Sequence, residues 1–132
     1  MSETKDFFKK YCQFVDSVTS TPSKDDDVFS QGVGKISKWL NGNYSRMDTA
    51  ITGLTGEAGE CADLWKKLKF QGKELSEENR QKMIEELGDV CWYLASASMA
   101  LGVDMDDIIR RNIEKLQARH PHGFSPEYMK KK

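Results

Sequence analysis

Apolar residues recur along this chain at steps of three and four over five segments, and no stretch alternates apolar and polar residues strictly enough to compete as a strand. The pattern predicts an all-α protein. The first segment, about Asp6 to Val18, carries Tyr11, Phe14 or Val15, and Val18 at helical spacing. Thr19 to Asp27 is rich in turn formers and predicts a mobile connection. A second helix over about Val28 to Leu40 puts Phe29, Val33, Ile36 and Leu40 on one stripe, is weakened by Gly32 and Gly34, and stops at Asn41-Gly42-Asn43.

The strongest periodicity follows. About Arg46 to Gln71 carries Met47, Ile51, Leu54, Ala58, Cys61, Trp65 and Leu68 as a long apolar seam that Gly72 ends. Ser76, followed by Glu77 and Glu78, reads as an N-cap with acids in the first turn. The helix it opens, about Glu77 to Leu101, repeats the seam with Met83, Leu87, Val90, Leu94, Ala97 and Leu101. Gly102 interrupts it. The fifth helix, from about Asp104 or Met105 to His120, is expected to bury Ile109, Ile113 and Leu116 and to stop at Pro121 and Gly123. The short connection at Gly72 requires the third and fourth helices to pack antiparallel, so the fold expected is a helical bundle built on a central hairpin.

The seams locate the acids. At about 100° per residue, Glu57 and Glu60 fall roughly 75° and 135° to one side of the third helix's seam, and Glu86 and Asp89 roughly 60° and 120° in the same sense on the fourth. Antiparallel packing brings both pairs to one side of the hairpin. Their heights match within a few Å at about 1.5 Å per residue. A single ExxE or ExxD in a chain this charged is ordinarily a solvated helix face; two that are level on one side of a hairpin form a cluster whose repulsion calls for a cation. All-oxygen ligands select Mg²⁺, with Mn²⁺ a plausible substitute. A ferritin-like di-iron bundle would need Glu-x-x-His pairs, and the only histidines, His120 and His122, lie at a helix end.

On the fifth helix Asn112, Lys115 and Arg119 gather on one face, where the two cations can meet phosphate oxygens and Asn112 a sugar or base; complementing the helix dipole is the plainer role for such residues. Trp39, Phe29 and Tyr93 are the aromatic candidates for stacking a base, although aromatics at helical spacing more often serve the core. Trp92 falls off its seam and suggests a second packing layer or a subunit interface.

Composition narrows the rest. With 132 residues the chain is the length of one domain, with its core expected over about 46–124 and a solvated tail over 127–132. Twenty Lys+Arg against 21 Asp+Glu leave a net charge of −1, which gives no reason to expect a nucleic-acid polymer as partner. Cys12, Cys61 and Cys91 are odd in number and far apart, which argues against a disulfide framework or a zinc site and fits a reducing cytoplasm. The polar start lacks a signal-peptide core and no segment approaches a membrane span, so a soluble protein is expected.

Gly56 to Glu60 (GEAGE), Glu85 to Val90 (EELGDV) followed by WYL, and Asn112 to Arg119 (NIEKLQAR) resemble the MazG-type nucleotide pyrophosphohydrolases of the all-α NTP pyrophosphatase superfamily over about Met47 to Phe124. The resemblance implies Mg²⁺-dependent hydrolysis of nucleoside triphosphates to monophosphate and pyrophosphate. It implies Glu57, Glu60, Glu86 and Asp89 as metal ligands, Lys115 and Arg119 on phosphates, and a homodimer or homotetramer with shared sites that completes the bundle. Glu57 and Glu60 are the candidate catalytic carboxylates. The fuller family motif often has another glutamate where this chain has Gly56, which leaves the number of metal ions and the identity of the base open. Two alternatives stand beside this reading: the same chemistry on dUTP, dUDP or a guanosine tetraphosphate alarmone, and a non-catalytic helical interaction module.

Overall fold

The structure is a computed structural model that describes residues 2–124 and 126–127. Five α-helices, one 3₁₀ turn and no strand occur among the described residues. They fall into two compact units that divide between Gly42 and Asn43. Of the tail expected over 127–132, Glu127 is exposed and 128–132 lie outside the described residues.

The first unit holds α1 (Ser2–Val18), the 3₁₀ turn (Thr21–Ser23) and α2 (Asp26–Trp39). None of the residues of α1 is buried. The stretch expected as a mobile connection is built from local bonds. Lys24 Nζ donates to the Asp16 carbonyl at 2.9 Å, and the Asp25 carboxylate accepts from the Val28 amide at 3.0 Å as the N-cap of α2. That cap starts α2 two residues ahead of its apolar stripe, with Asp26 and Asp27 in the first turn. At the far end Asn41 takes a left-handed φ of 53° while the Gly42 amide bonds the Ser37 carbonyl at 2.8 Å, a Schellman closure. On the expected stripe Leu40 is buried and Val33 half-buried, whereas Phe29 and Ile36 are exposed.

The second unit holds α3 (Tyr44–Phe70), α4 (Glu77–Leu101) and α5 (Met105–Arg119). α3 and α4 pair extensively across a short connection, 71–76, which makes them an antiparallel hairpin. The connection is tightly bonded. Gly72 adopts φ +70°, the Lys73 amide reaches back to the Lys67 carbonyl at 3.1 Å, and the buried Asn79 donates from Nδ2 to the Glu74 carbonyl at 2.7 Å. Ser76 caps α4 as its sequence signature predicts, its hydroxyl accepting from the Asn79 amide at 3.1 Å. α4 ends where Gly102, at φ +70°, closes a Schellman motif with the Val103 amide on the Ser98 carbonyl at 3.0 Å.

The rotational setting of the hairpin differs from the one predicted. On α3 the covered stripe runs through Met47, Ala50, Leu54, Glu57, Cys61, Leu64 and Leu68; on α4 it runs through Asn79, Met83, Glu86, Val90, Tyr93, Ala97 and Ala100. Ile51, Ala58 and Trp65, with Leu87, Leu94 and Leu101, are exposed instead. Both seams are thus turned by roughly 40–50° toward the acids at about 100° per residue. Small residues explain the choice. Ala50 is fully buried, Ala100 nearly so, and a Cβ at Gly53 would overlap the Tyr93 ring, so the contact uses positions that allow close backbone approach. The larger side chains form a second apolar face.

A second correction concerns α5. Ile109, Ile113 and Leu116, expected to be buried, are 53%, 50% and 42% exposed. α5 packs modestly on α4, with Met105 and Asp107 half-buried beside the Gly102 link, and most of its apolar strip runs on past that contact.

Candidate functional site

The rotation of the hairpin carries the acids inward. Glu57 and Glu86 lie in the α3–α4 seam, half-buried, with Glu60 exposed one turn along α3 from Glu57 and Asp89 exposed one turn along α4 from Glu86. One carboxylate oxygen from each of Glu57, Glu60 and Glu86 can be chosen so that all lie within 4.8 Å of one another. Asp89 stands beside this trio, close enough for its charge to act on both Glu57 and Glu86.

Burial and mutual repulsion disfavour the charged forms of these acids. Burial first, and then the charges of Glu60 and Asp89, push the Glu57 carboxyl above the ordinary glutamate range; the same causes in the same order raise Glu86. The Oε2 atoms of both residues are buried and have no hydrogen-bond partner. A buried carboxylate oxygen without a donor is costly, and a cation is the partner that would satisfy it. Hard oxygen donors of this kind suit Mg²⁺ or Mn²⁺. Cys61 is half-buried nearby, but its sulfur does not join the cluster, and burial together with the charge of Glu86 raises its thiol so that it stays protonated. The residues present therefore fit a divalent cation.

Two cavities adjoin the acids. One of about 300 Å³ is lined by Glu57, Asp89, Trp92 and Tyr93, the two rings meeting edge to face at 4.9 Å between centroids. The other, about 360 Å³, lies toward the connection and shares Glu60 and Glu86 with the acid cluster. Tyr93 is thus brought to the acids, as is Trp92, whose helical phase alone suggests a second packing layer or a subunit interface. Asn112, Lys115 and Arg119 of α5 line neither cavity, with Asn112 and Lys115 exposed and Arg119 half-buried. Trp39 is 74% exposed at the end of α2 in the first unit.

Comparison with known proteins identifies the unit that carries this arrangement. The MazG nucleotide pyrophosphohydrolase domain family matches residues 46–124, nearly the whole of the second unit and more than half of the chain. The chain belongs to this family. It is also 43% identical over 72 residues to the "Gene 37 protein" of Mycobacterium phage L5, a stretch covering 54% of this chain. The chain spans 63% of the length of that relative. No solved structure matches. As a MazG-family domain, the second unit places its acids on the paired α3–α4 hairpin, within the matched residues.

Proposed function

We propose that this protein hydrolyses nucleoside triphosphates to nucleoside monophosphate and pyrophosphate in a magnesium-dependent reaction, with deoxyuridine nucleotides or a guanosine tetraphosphate alarmone as the alternative substrates of the same chemistry. The observation that carries the reading is the convergence of Glu57, Glu60 and Glu86 with two buried, unsatisfied oxygens in a MazG-family hairpin. A helical module that only bound partners would gain nothing from acids placed in its own seam.

In this reading Glu57, Glu60, Glu86 and Asp89 hold the metal. When bound, Mg²⁺ withdraws charge from phosphate oxygens and lowers the pKa of a coordinated water. Glu60 is exposed at the rim and can orient a water arriving from solvent, while Glu57 fixes the inner side of the cluster through its buried oxygen. Tyr93 and Trp92 offer ring surface for a base beside Glu57 and Asp89. Lys115 and Arg119 neutralise phosphate charge, and because they line neither cavity at the acids, we assign their approach to a second subunit.

A homodimer or homotetramer is part of the same proposal. Trp65 is 57% and Leu87 55% exposed on the second apolar face of the hairpin, a surface whose natural cover is another copy of it. Leu87→Glu should shift the protein to a lower mass in sedimentation equilibrium; an unchanged mass would remove this face from the assembly. No helix among the described residues is long and apolar enough to cross a membrane, and we place the enzyme in the cytoplasm, where its substrates are. The activity itself is tested by assaying pyrophosphate release from a nucleotide panel with and without Mg²⁺. Glu86→Gln/Asp89→Asn should abolish turnover and magnesium binding with helicity intact, and retained turnover would sink the assignment.

A further inference from the structure

The cavity at the connection end of the hairpin has no role in the reading above, yet it opens directly from the acid cluster. Glu60, Asp63, Glu85 and Glu86 line it together with Lys67, Lys73 and Lys82. These lysines come from three separate places: the last turn of α3, the connection, and the second turn of α4. Along the helices Lys82 lies four residues and Lys67 seven residues from the nearest clustered glutamate, which is roughly 6–10 Å at 1.5 Å per residue.

Two of the three ammonium groups are not used up by the cavity's own acids. Asp63 is held by Lys67 at 2.7 Å and Lys66 at 3.4 Å, contacts that keep its carboxyl below the ordinary aspartate range. Lys82 pairs only loosely, at 3.7 Å, with the outward Glu78, and Lys73 forms no ion pair among the described residues. Neither lysine pairs with Glu60, Glu85 or Glu86, so the two do not serve simply to neutralise the cluster. The position of Lys73 is moreover fixed by the backbone: the left-handed Gly72 and the bond from the Lys73 amide to the Lys67 carbonyl turn the chain here, and the bond from Asn79 to Glu74 pins the next residue.

We propose that this cavity seats the end of the phosphate chain farthest from the base, with Lys73 and Lys82 as its cationic contacts and Lys67 as a third contact shared with Asp63. The site would then run along the hairpin in one direction. The aromatic cavity of Trp92 and Tyr93 lies at one end, the four acids in the middle, and the lysine cavity at the connection. Lysine suits such a seat because its ammonium is a point charge on a flexible stem and can follow a phosphate through cleavage and release. The polarity also separates the products: the pyrophosphate lies toward the connection and the monophosphate toward the rings.

This proposal rests on the metal and nucleotide reading, and calorimetry separates the two. Magnesium is titrated into the full chain first, and inorganic pyrophosphate is then titrated in saturating magnesium, for the wild type, Lys73→Met/Lys82→Met and Lys73→Arg/Lys82→Arg. The methionine variant should bind pyrophosphate about a hundredfold more weakly or worse, the order expected for losing two charge-assisted contacts, with magnesium affinity unchanged and the arginine variant close to wild type. Pyrophosphate affinity unchanged by the methionines, or lost equally in the arginine variant, overturns the phosphate seat and leaves the metal reading standing. A wild type that binds no magnesium overturns the metal reading, and the seat with it.

Discussion

Three glycines of α3 allow one chemical change to be compared in three surroundings, and Gly53 is the informative one. Glycine to alanine inside a helix ordinarily stabilises by about 0.8–1 kcal/mol. At Gly56 and Gly59 an added Cβ would meet nothing within 4 Å, so that gain should appear in full. At Gly53 the new Cβ would overlap the Tyr93 ring, and overpacking of this kind costs roughly 1–3 kcal/mol. The net effect of Gly53→Ala is then about 0–2 kcal/mol of destabilisation. The gap from Gly56→Ala is about 1–3 kcal/mol, or of the order of 4–8 °C in Tm per kcal/mol for a unit of this size. Urea unfolding followed by circular dichroism, at one fixed protein concentration, measures both. The decisive arm is Gly53→Ala in a Tyr93→Ala background, where the clash is gone and the ordinary helix gain should return. If Gly53→Ala stabilises as much as Gly56→Ala in the wild-type background, α3 and α4 do not approach each other at Gly53, and the rotated seam is wrong.

The acids and the connection supply two more tests. Because the folded-state carboxyls of Glu57 and Glu86 titrate above the 4.5 of a free glutamate, their contribution is fully present below that pH and is lost as pH rises through the raised values. The Tm of the protein in EDTA should therefore fall as the pH is raised above 4.5. Glu57→Gln should flatten this slope and excess Mg²⁺ should remove it; a Tm independent of pH in EDTA would contradict the crowding of these groups. Ser76→Ala removes the cap of α4 and should cost about 0.5–2 kcal/mol in chemical denaturation. A loss below this range would mean that the bond from Asn79 to Glu74 holds the connection without the cap.

How much of this was legible in the sequence depends on which physical signal carries it. Ser76 and Gly102 mark the two ends of α4 by their own backbone chemistry, and α4 lies between them as predicted. The pairing of the ExxE and ExxD segments followed from hairpin topology, which a short connection leaves no freedom to change. The rotational setting was not legible, because α3 and α4 each carry an apolar arc wider than one helix contact can cover. Hydrophobicity ranks Ile51 and Trp65 above Ala50 and Gly53; close packing reverses that order, and with it Glu57 and Glu86 move from beside the seam into it. The strip on α5 failed for a related reason, since periodicity says that a face is apolar and not what lies against it. Lys73 was missed because nothing in its neighbours' spacing marks it: its place follows from the left-handed turn at Gly72.

The connection between α3 and α4 also bears on how the site comes into being. All four acids and the lysines belong to one helix, a short link and the next helix. Such a unit closes through a short loop, so its chain-entropy cost is small and its contacts are local in sequence, the condition for fast folding. The acid cluster is thus complete within a single hairpin before any assembly. Substitutions at the rings of Trp92 and Tyr93 are then able to change which nucleotide is accepted without dismantling the acid cluster.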